Sequence, residues 1–307
     1  INRNYKVVSS TKEEYCLKVY SPRVRDNRLH DGLAVMEYLL RLNFPVPKVV
    51  KTIEAQDILL LDDQRYLLLR YLPGRNLLPS EVGEGECYAL GATLAKLHHS
   101  LRFFPNANML HGDLWKASKD ALPRLYELLE KVQSRPQRDD FDSFALESLT
   151  HRIQVMRSIE VGPQQFSHLQ RQALHGDYQL SNIIFDDNDK VVGIIDFDQT
   201  CYSFPAWELM RAIGFTSMPN NTFNYSFAHS ILRGYVENEG VLSTSDYLEM
   251  PRLWYYQLLR GLFGLREHYT GSPDPRQDEG ALGRHAIMIW LENNLDELKQ
   301  FIWETVK

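Results

Sequence analysis

The sequence predicts an α+β fold in two lobes, a small antiparallel sheet with one helix followed by a mainly helical part. Two observations predict it. Near the start, residues 5–9 and 15–20 alternate between apolar and polar side chains, as half-buried strands do. Later segments such as 85–101 repeat apolar residues every three to four positions, which is helical spacing. A short apolar hairpin over residues 183–197 interrupts the helical part.

Composition narrows the class of protein. A chain of 307 residues with 44% hydrophobic residues can bury a substantial core. The net charge of −6 argues against a general nucleic-acid binder. The 3 cysteines are far apart and lack the spacing of metal ligands, so we expect a reducing, cytoplasmic setting. No apolar run approaches the roughly 20 residues of a membrane span, and we expect no membrane partner.

Lys18 and Glu37 carry charge inside apolar patterns. Lys18 lies within the strand predicted over residues 15–20, and Glu37 lies in a helix predicted over residues 31–42. Helical spacing puts Glu37 on the apolar stripe of that helix, where its carboxylate needs a cation. We expect Lys18 to supply it. The rival partner is Arg41, four residues further along, in a surface pair.

Three polar residues surround the hairpin. Asn182 precedes its first strand, Asp196 ends its second strand, and Asp177 belongs to the loop that leads in. Closing the hairpin brings Asn182 beside Asp196. A magnesium ion that bridges nucleotide phosphates takes such oxygen ligands, and a nearby carboxylate can accept a hydroxyl proton. The set predicts a phosphoryl-transfer site, and the alternative is ordinary turn chemistry.

The spacing resembles the kinase catalytic loop, in which an Asp base is followed by an Asn five positions later and by a metal-binding Asp after a hairpin. Gly176 replaces the Arg of protein kinases, and Phe197-Asp198 replaces their Phe-Gly. The chain therefore resembles the superfamily of aminoglycoside phosphotransferases, choline kinases and homoserine kinases. That resemblance implies a protein-kinase-like fold and transfer of the γ-phosphoryl group of ATP, with Mg²⁺, to a hydroxyl of a small molecule.

The resemblance also implies residue roles. Asp177 would accept or orient the hydroxyl proton, Asn182 and Asp196 would hold magnesium, and Asp198 would add a metal or water contact. Lys18 would grip the nucleotide phosphates, in an ion pair with Glu37.

Arg70, Tyr71 and Leu72 resemble the family's interlobe connector, whose backbone would bind adenine. They precede a Pro-Gly pair, which is also consistent with a simple turn. On this basis the nucleotide-binding lobe covers residues 1–72, and the catalytic and substrate-binding lobe covers residues 73–307. The family's first strand and phosphate-covering loop are not visible in the first lobe. We expect that they precede Ile1, and the alternative is a chain that lacks them and binds nucleotide weakly.

A second His-Gly-Asp at residues 111–113 offers a different reading. Ser118 occupies the position where the motif requires Asn, so we interpret this second His-Gly-Asp as a chance repeat without a catalytic role. The alternative is a two-metal hydrolase that joins this motif to His175 and Asp177. A protein kinase or a nucleotide-binding regulatory protein on the same scaffold is a further alternative, although the segment from Pro205 to Glu208 is a poor match to the expected Ala-Pro-Glu motif.

The acceptor stays open among an amino alcohol, a homoserine-like amino acid, a sugar and an aminoglycoside, and so does the oligomeric state. The resemblance implies that residues 247–269, rich in aromatic and charged side chains, help to form the acceptor pocket, whereas Trp254, Leu258 and Leu262 are expected to be core. Glu208 is expected to anchor the catalytic loop rather than to touch substrate.

Overall fold

The structure is a computed structural model, and it describes residues 2–21, 26–111, 118–159, 162–219, 222–271 and 273–307. The chain divides into two compact units. The first consists of Ile1–Gly112, Arg171–Thr216 and Tyr225–Val241, and the second of Asp113–Gln170, Ser217–Asn224 and Leu242–Lys307. The lobe boundary expected after residue 72 falls inside the first unit and stays a prediction.

The described part of the chain forms the following strands and helices. The strands are β1 (Arg3–Val8), β2 (Glu14–Val19), β3 (Val49–Val50), β4 (Ile58–Leu61), β5 (Gln64–Arg70), β6 (Gln172–Leu174), β7 (Ile183–Phe185), β8 (Val191–Ile194) and β9 (Cys201–Ser203). The α-helices are α1 (Asp26–Arg41), α2 (Glu84–Leu101), α3 (Ser118–Gln133), α4 (Asp140–Ser158), α5 (Pro205–Ser217), α6 (Tyr225–Glu237), α7 (Thr244–Arg260), α8 (Leu265–Thr270) and α9 (Pro275–Val306).

The first unit contains an antiparallel sheet in the order β1-β2-β5-β3, with β4 also paired to β5. Lys18 occupies the middle of this sheet, opposite Asn4 on β1 and Leu67 on β5. It is the one residue of β2 that is fully buried. A buried lysine requires acidic partners, because an unpaired charge is costly to remove from water.

Helix α1 corrects one expectation from the sequence. Its buried apolar stripe includes Leu29, Leu33 and Met36, but Glu37 is exposed and lies off that stripe. The expected burial of Glu37 is therefore wrong. Each helical residue is rotated by about 100° from its neighbour, so Glu37 turns toward solvent although Met36 before it is buried. The buried face instead brings Gly32 against the backbone of Phe197.

Helices α2 and α6 of the first unit pack closely against each other. A Cβ atom added at Gly91 of α2 would overlap the backbone of Ile231, and one added at Gly234 of α6 would overlap the backbone of Tyr88. Leu90 and Leu94 are completely buried beside this contact. The two helices can approach this closely only because both positions lack a side chain.

The second unit consists of α3, α4, α7, α8 and α9, in which α3 packs on α4 and α7 packs on α9. Trp254 and Leu258 of α7 are buried, which confirms them as core. Leu262 is only partly buried, and the prediction that residues 247–269 line the acceptor pocket stays a prediction. Within the described residues, no helix combines the length and apolar character needed to cross a membrane.

The α2–α6 contact yields a stability test. We expect Gly91→Ala to destabilise the protein by about 2 kcal/mol, because the new methyl group meets backbone that cannot move aside and overpacking outweighs the gain in helix propensity. Gly85→Ala in the same helix is the control, since no atom lies within 4 Å of its added Cβ. Urea unfolding compares the two variants. Equal midpoints for both would contradict the packing argument.

Candidate active site

The predicted hairpin is formed by β7 and β8. Ile183 pairs with Ile194 and Ile184 with Gly193, and a bulge follows Ile184. One further bond, from the backbone N–H of Ile195 to the carbonyl oxygen of Asn182 (2.9 Å), extends the pairing past the strand ends. Asn182 therefore lies beside the residue that precedes Asp196.

Asp196 adopts a left-handed conformation with φ of 66° as the chain leaves β8 for a 3₁₀ turn at Phe197–Gln199. Asp tolerates this region better than most residues, and such conformations often mark functional sites. Its carboxylate meets Lys18 from the sheet. The Nζ atom of Lys18 lies 2.7 Å from Oδ1 of Asp196 and 2.6 Å from Oδ2 of Asp198.

The expected Lys18–Glu37 ion pair is therefore wrong in this structure. The rival pair is formed, with Nη2 of Arg41 2.5 Å from Oε1 of Glu37 at an exposed site. The physical reason is the rotation of Glu37 away from the buried face of α1. Lys18, buried in the sheet, finds its counter-charge in the two carboxylates that follow β8.

Asp198 is held by more donors than Lys18 alone. Nδ2 of Asn2 donates to its Oδ2 (2.7 Å) and the hydroxyl of Tyr20 donates to its Oδ1 (3.2 Å). Burial raises the pKa of Tyr20, which keeps its hydroxyl protonated and able to donate. Asn2 also accepts the backbone N–H of Ser21 (3.0 Å), so it links the start of β1 to this cluster.

The two carboxyl groups have different proton affinities. Burial alone would raise the pKa of Asp196, but the Lys18 ammonium outweighs burial and lowers that pKa below its ordinary value. Burial raises the pKa of Asp198, and the neighbouring charge of Asp196 adds to the effect against the pull of Lys18. Both carboxylates contact the Lys18 ammonium, and Asp196 is the one that lines the cavity described below.

Asn182 connects this cluster to Asp177. Its Nδ2 atom donates to the backbone carbonyl of Asp177 (2.8 Å) and to Oδ2 of the same residue (3.0 Å). This amide orientation follows from the hydrogen-bond network, since only nitrogen can donate. The Oδ1 atom of Asn182 is left as an acceptor suited to a cation.

Arg211 is a site residue that the sequence reasoning missed. Its guanidinium forms an ion pair with Oδ1 of Asp177 while being almost completely buried. The rings of Phe215 and Trp207 flank it, with centroids 4.9 and 5.9 Å from the guanidinium carbon. The sequence could have indicated this residue, because Arg211 lies one helical turn after Glu208 on α5, and the two side chains therefore share one face of that helix.

Glu208 meets the expectation that it anchors the catalytic loop. Its Oε1 accepts the backbone N–H of Gly176, and its Oε2 lies 3.0 Å from Nε2 of His98. His98 in turn contacts the hydroxyl of Tyr235 through Nδ1 (2.8 Å). All three side chains are completely buried. Burial alone would raise the pKa of Glu208, but its hydrogen bond with His98 and the charge there lower it overall.

The His-Gly pair of the motif positions the same loop. Gly176 has φ of 82°, and an added Cβ would overlap the carbonyl of Gln199, so this position requires glycine. His175 accepts the backbone N–H of Asp177 at Nδ1 (3.2 Å) and donates from Nε2 to the carbonyl of Ile195 (2.9 Å). Since both ring nitrogens are used, His175 does not suit the two-metal alternative. Gly112 and Asp113 of the second motif lie outside the described residues.

One cavity of about 330 Å³ brings together most of the residues predicted to bind nucleotide and metal. Its lining includes Lys18, Arg70, Tyr71, Leu72, Asn182 and Asp196. The N–H groups of Arg70 and Tyr71 already donate to the carbonyls of Lys48 (2.8 Å) and Glu14 (3.1 Å). The side chain of Arg70 turns away to Glu13, with Nη1 2.6 Å from Oε1.

The residues at this cavity fit a magnesium ion shared with phosphates. Mg²⁺ usually takes one or two carboxylates and completes its shell with water and phosphate oxygens. Asp196 supplies an ionised carboxylate and Asn182 supplies an amide oxygen. Lys18 shows that a positive charge is stable at this point, because its ammonium contacts Asp196 directly.

Several known proteins are similar to this chain in sequence or in fold. A family model described as the phosphotransferase enzyme family matches residues 1–242. A homoserine kinase of Zymomonas mobilis is 25% identical over 271 residues, which cover 85% of this chain and 74% of that protein.

Solved structures show the same fold at low identity. An aminoglycoside phosphotransferase of Alicyclobacillus acidocaldarius has a TM-score of 0.66 at 14% identity, and the match covers 98% of this chain and 92% of that protein's chain. An amicoumacin kinase in complex with AMP-PNP and Ca²⁺ has a TM-score of 0.63 at 14% identity, with coverage of 96% and 85%. These similarities confirm the predicted α+β, protein-kinase-like fold and the resemblance drawn from the motifs. The chain belongs to the phosphotransferase enzyme family.

Proposed function

We propose that the protein is an ATP-dependent small-molecule kinase that phosphorylates a hydroxyl group. One observation carries the proposal: Asn182 links Asp177 to the cavity that also contains Lys18 and Asp196. The side-chain amide of Asn182 therefore lies between the proposed proton acceptor, Asp177, and the proposed cation site. Transfer of a phosphoryl group from a metal-bound nucleotide to a hydroxyl requires this proximity.

The nucleotide occupies the cavity beside the sheet. Lys18 binds its phosphates, and Leu72 is the connector residue left to bind the base, because the N–H groups of Arg70 and Tyr71 are already used within the protein. Asn182 and Asp196 would hold the divalent cation, Mg²⁺, which would neutralise charge on the phosphates. Asp198 supports the cluster through Lys18, Asn2 and Tyr20. The complex of the amicoumacin kinase with AMP-PNP and Ca²⁺ supports a nucleotide and a divalent cation here.

Asp177 orients the acceptor hydroxyl. The hydroxyl oxygen forms the new bond to the γ-phosphorus, the bond from that phosphorus to the bridging oxygen breaks, and ADP leaves. The hydroxyl proton passes to Asp177. Arg211 and Asn182 each hold one carboxylate oxygen, so the group keeps one orientation through the reaction.

The acceptor we favour is a homoserine-like amino acid, because the relative with 25% identity is a homoserine kinase. Amino alcohols are the next class to test. The protein-kinase and regulatory alternatives gain no support from the family match. A cytoplasmic location also belongs to this proposal, supported by Cys16, Cys87 and Cys201, all free thiols as a reducing compartment allows.

Replacing the proposed base gives the first test of function. Asp177→Asn should keep Mg-ATP affinity but lose about 10² to 10⁴ in kcat, because the proton acceptor is removed while the cation ligands remain. Calorimetry measures binding, and ADP release over a panel of hydroxylated metabolites headed by homoserine measures turnover. Near-normal kcat in the variant would remove Asp177 from its proposed role.

The cation site has its own matched pair of variants. Asp196→Asn should weaken Mg-ATP binding by more than about tenfold, since the ionised ligand is lost. Asp187→Asn is the control, because Asp187 is an exposed residue in the turn of the same hairpin. Titration with Mg-ATP, and with ATP plus a chelator, separates metal from nucleotide. Equal affinities for the two variants would refute the assignment.

Separate substitutions of Lys18 and Glu37 test whether Lys18 acts without Glu37. Lys18→Met should raise the KM for ATP by about tenfold or more, whereas Glu37→Ala should change it by less than about twofold, as expected for an exposed pair. Removing Lys18 leaves Asp196 and Asp198 facing each other, so thermal melting must accompany the kinetics. If Lys18→Met is unstable, Lys18→Arg replaces it. A similar loss in both single variants would restore Glu37 to the site.

A further inference from the structure

The second unit contains a cleft of about 280 Å³ that includes none of the residues assigned to phosphoryl transfer above, although part of its lining belongs to the segment 247–269 expected at the acceptor pocket. One wall comes from α3, where Arg124, Leu128 and Lys131 line the cleft. Their spacing of four and then three residues puts them on one face of the helix. The other wall comes from the end of α7 and from α8, with Arg260 and Arg266.

The cleft is cationic in an acidic protein. Four cationic side chains, Arg124, Lys131, Arg260 and Arg266, line it, and Glu127 is the one carboxylate of the lining among the residues that the structure describes. Glu267 is not part of the lining but forms an ion pair with Arg266. The whole chain has a net charge of −6, so the local balance is reversed. Glu127 lies 3.5 Å from Nζ of Lys131 at an exposed site, where such a pair is weak. Cations gathered in one concave site attract anions and repel each other when the site has no ligand.

Buried hydrogen bonds hold the α7 wall in place. Arg152 of α4 is 2% exposed and donates from Nη1 to the carbonyls of Leu258 and of Gly261, the latter at 3.1 Å. Its Nε atom donates to Oγ of Ser148 (3.1 Å). Arg260 lies between the two carbonyls that Arg152 ties together. The position of Arg260 in the cleft is therefore set by the core of the unit rather than by a loose surface turn.

The α8 wall is capped in a similar way. The backbone N–H of Gly264 donates to Oε2 of Glu267 (2.8 Å), which fixes the first turn of the helix that carries Arg266. Oε1 of the same Glu267 accepts Nε of Arg266 (3.0 Å) and orients that guanidinium. Apolar surface from Leu128 and Phe263 completes the cleft. The arrangement places cationic hydrogen-bond donors beside a short apolar surface.

We propose that this cleft binds a small metabolite with a carboxylate or phosphate group. Guanidinium groups match the planar, paired oxygens of these anions, and a preorganised pair of arginines loses little freedom on binding. The volume lies near the lower end of ligand pockets and suits a compact molecule. Two sources have this chemistry: the acceptor of the kinase reaction itself and a separate effector. Binding rests on the cleft alone and does not depend on the proposed reaction.

The test is calorimetry of the full chain with inorganic phosphate and, separately, malonate. The double variant Arg124→Gln/Lys131→Gln changes only exposed side chains and should fold, and Arg260→Gln is the second variant. Each should weaken binding by about tenfold or more, the loss expected for a charged hydrogen bond. The control is Arg276→Gln, an exposed arginine of the same unit that pairs with Asp274 (2.9 Å). All titrations use a Lys18→Met background, so that phosphate at the proposed nucleotide site does not contribute, and the malonate titrations are repeated in the protein with Lys18.

Saturable binding that is lost in the two cleft variants and kept in the control supports the site. Equal affinity in all four proteins, or no saturable binding, overturns it. Kinetics in the wild-type protein then identify the source. An anion that raises the KM for the acceptor at constant kcat points to the acceptor, whereas one that changes kcat points to an effector. The calorimetry measures anion binding and needs no acceptor. A failure of the proposed function can therefore be distinguished from a failure of the cleft proposal.

Discussion

The contact of Lys18 with Asp196 and Asp198 is the constraint on which the candidate site depends. A buried ammonium needs at least one ionised partner, and here it has two at 2.7 and 2.6 Å. The lysine belongs to the sheet and the carboxylates follow the hairpin, so the pair fixes these two elements to each other. Asn2 and Tyr20 add neutral donors to Asp198, which satisfies the second carboxylate without another cation.

Helix α5 holds the loop that carries Asp177. Glu208 accepts the backbone N–H of Gly176, and one turn later Arg211 binds the carboxylate of Asp177. Backbone and side chain of neighbouring loop residues are thus held by one helix face. Because Glu208 is buried with His98 and Tyr235, this support belongs to the core formed by α2 and α6. The loop is therefore hydrogen-bonded to buried residues of that core, which suits the orientation of a hydroxyl.

The two units distribute charge differently around their cavities. In the first unit, one buried lysine faces carboxylates, which suits a cation and the phosphates it carries. In the second unit, four cationic side chains line a cleft in which Glu127 pairs with Lys131, and Glu267 pairs with Arg266, so the cations outnumber the carboxylates, which suits an anion directly. Neither arrangement follows from the net charge of the chain. Both follow from which residues the helices and strands bring to one surface.

The sequence by itself determined the fold class, the hairpin and the family, because these depend on local spacing: Asp177, Asn182 and Asp196 are related by a loop and two short strands. Only the tertiary structure decided the ion pairs. The stripe of α1 did not resolve whether Glu37 turns inward, since one residue of rotation separates buried from exposed. Asp196, a partner of Lys18, is 178 residues away, and Arg211 reaches the loop residue Asp177 from α5. Spacing along the chain can place a side chain on a helix face, but it does not show which distant side chain that face meets.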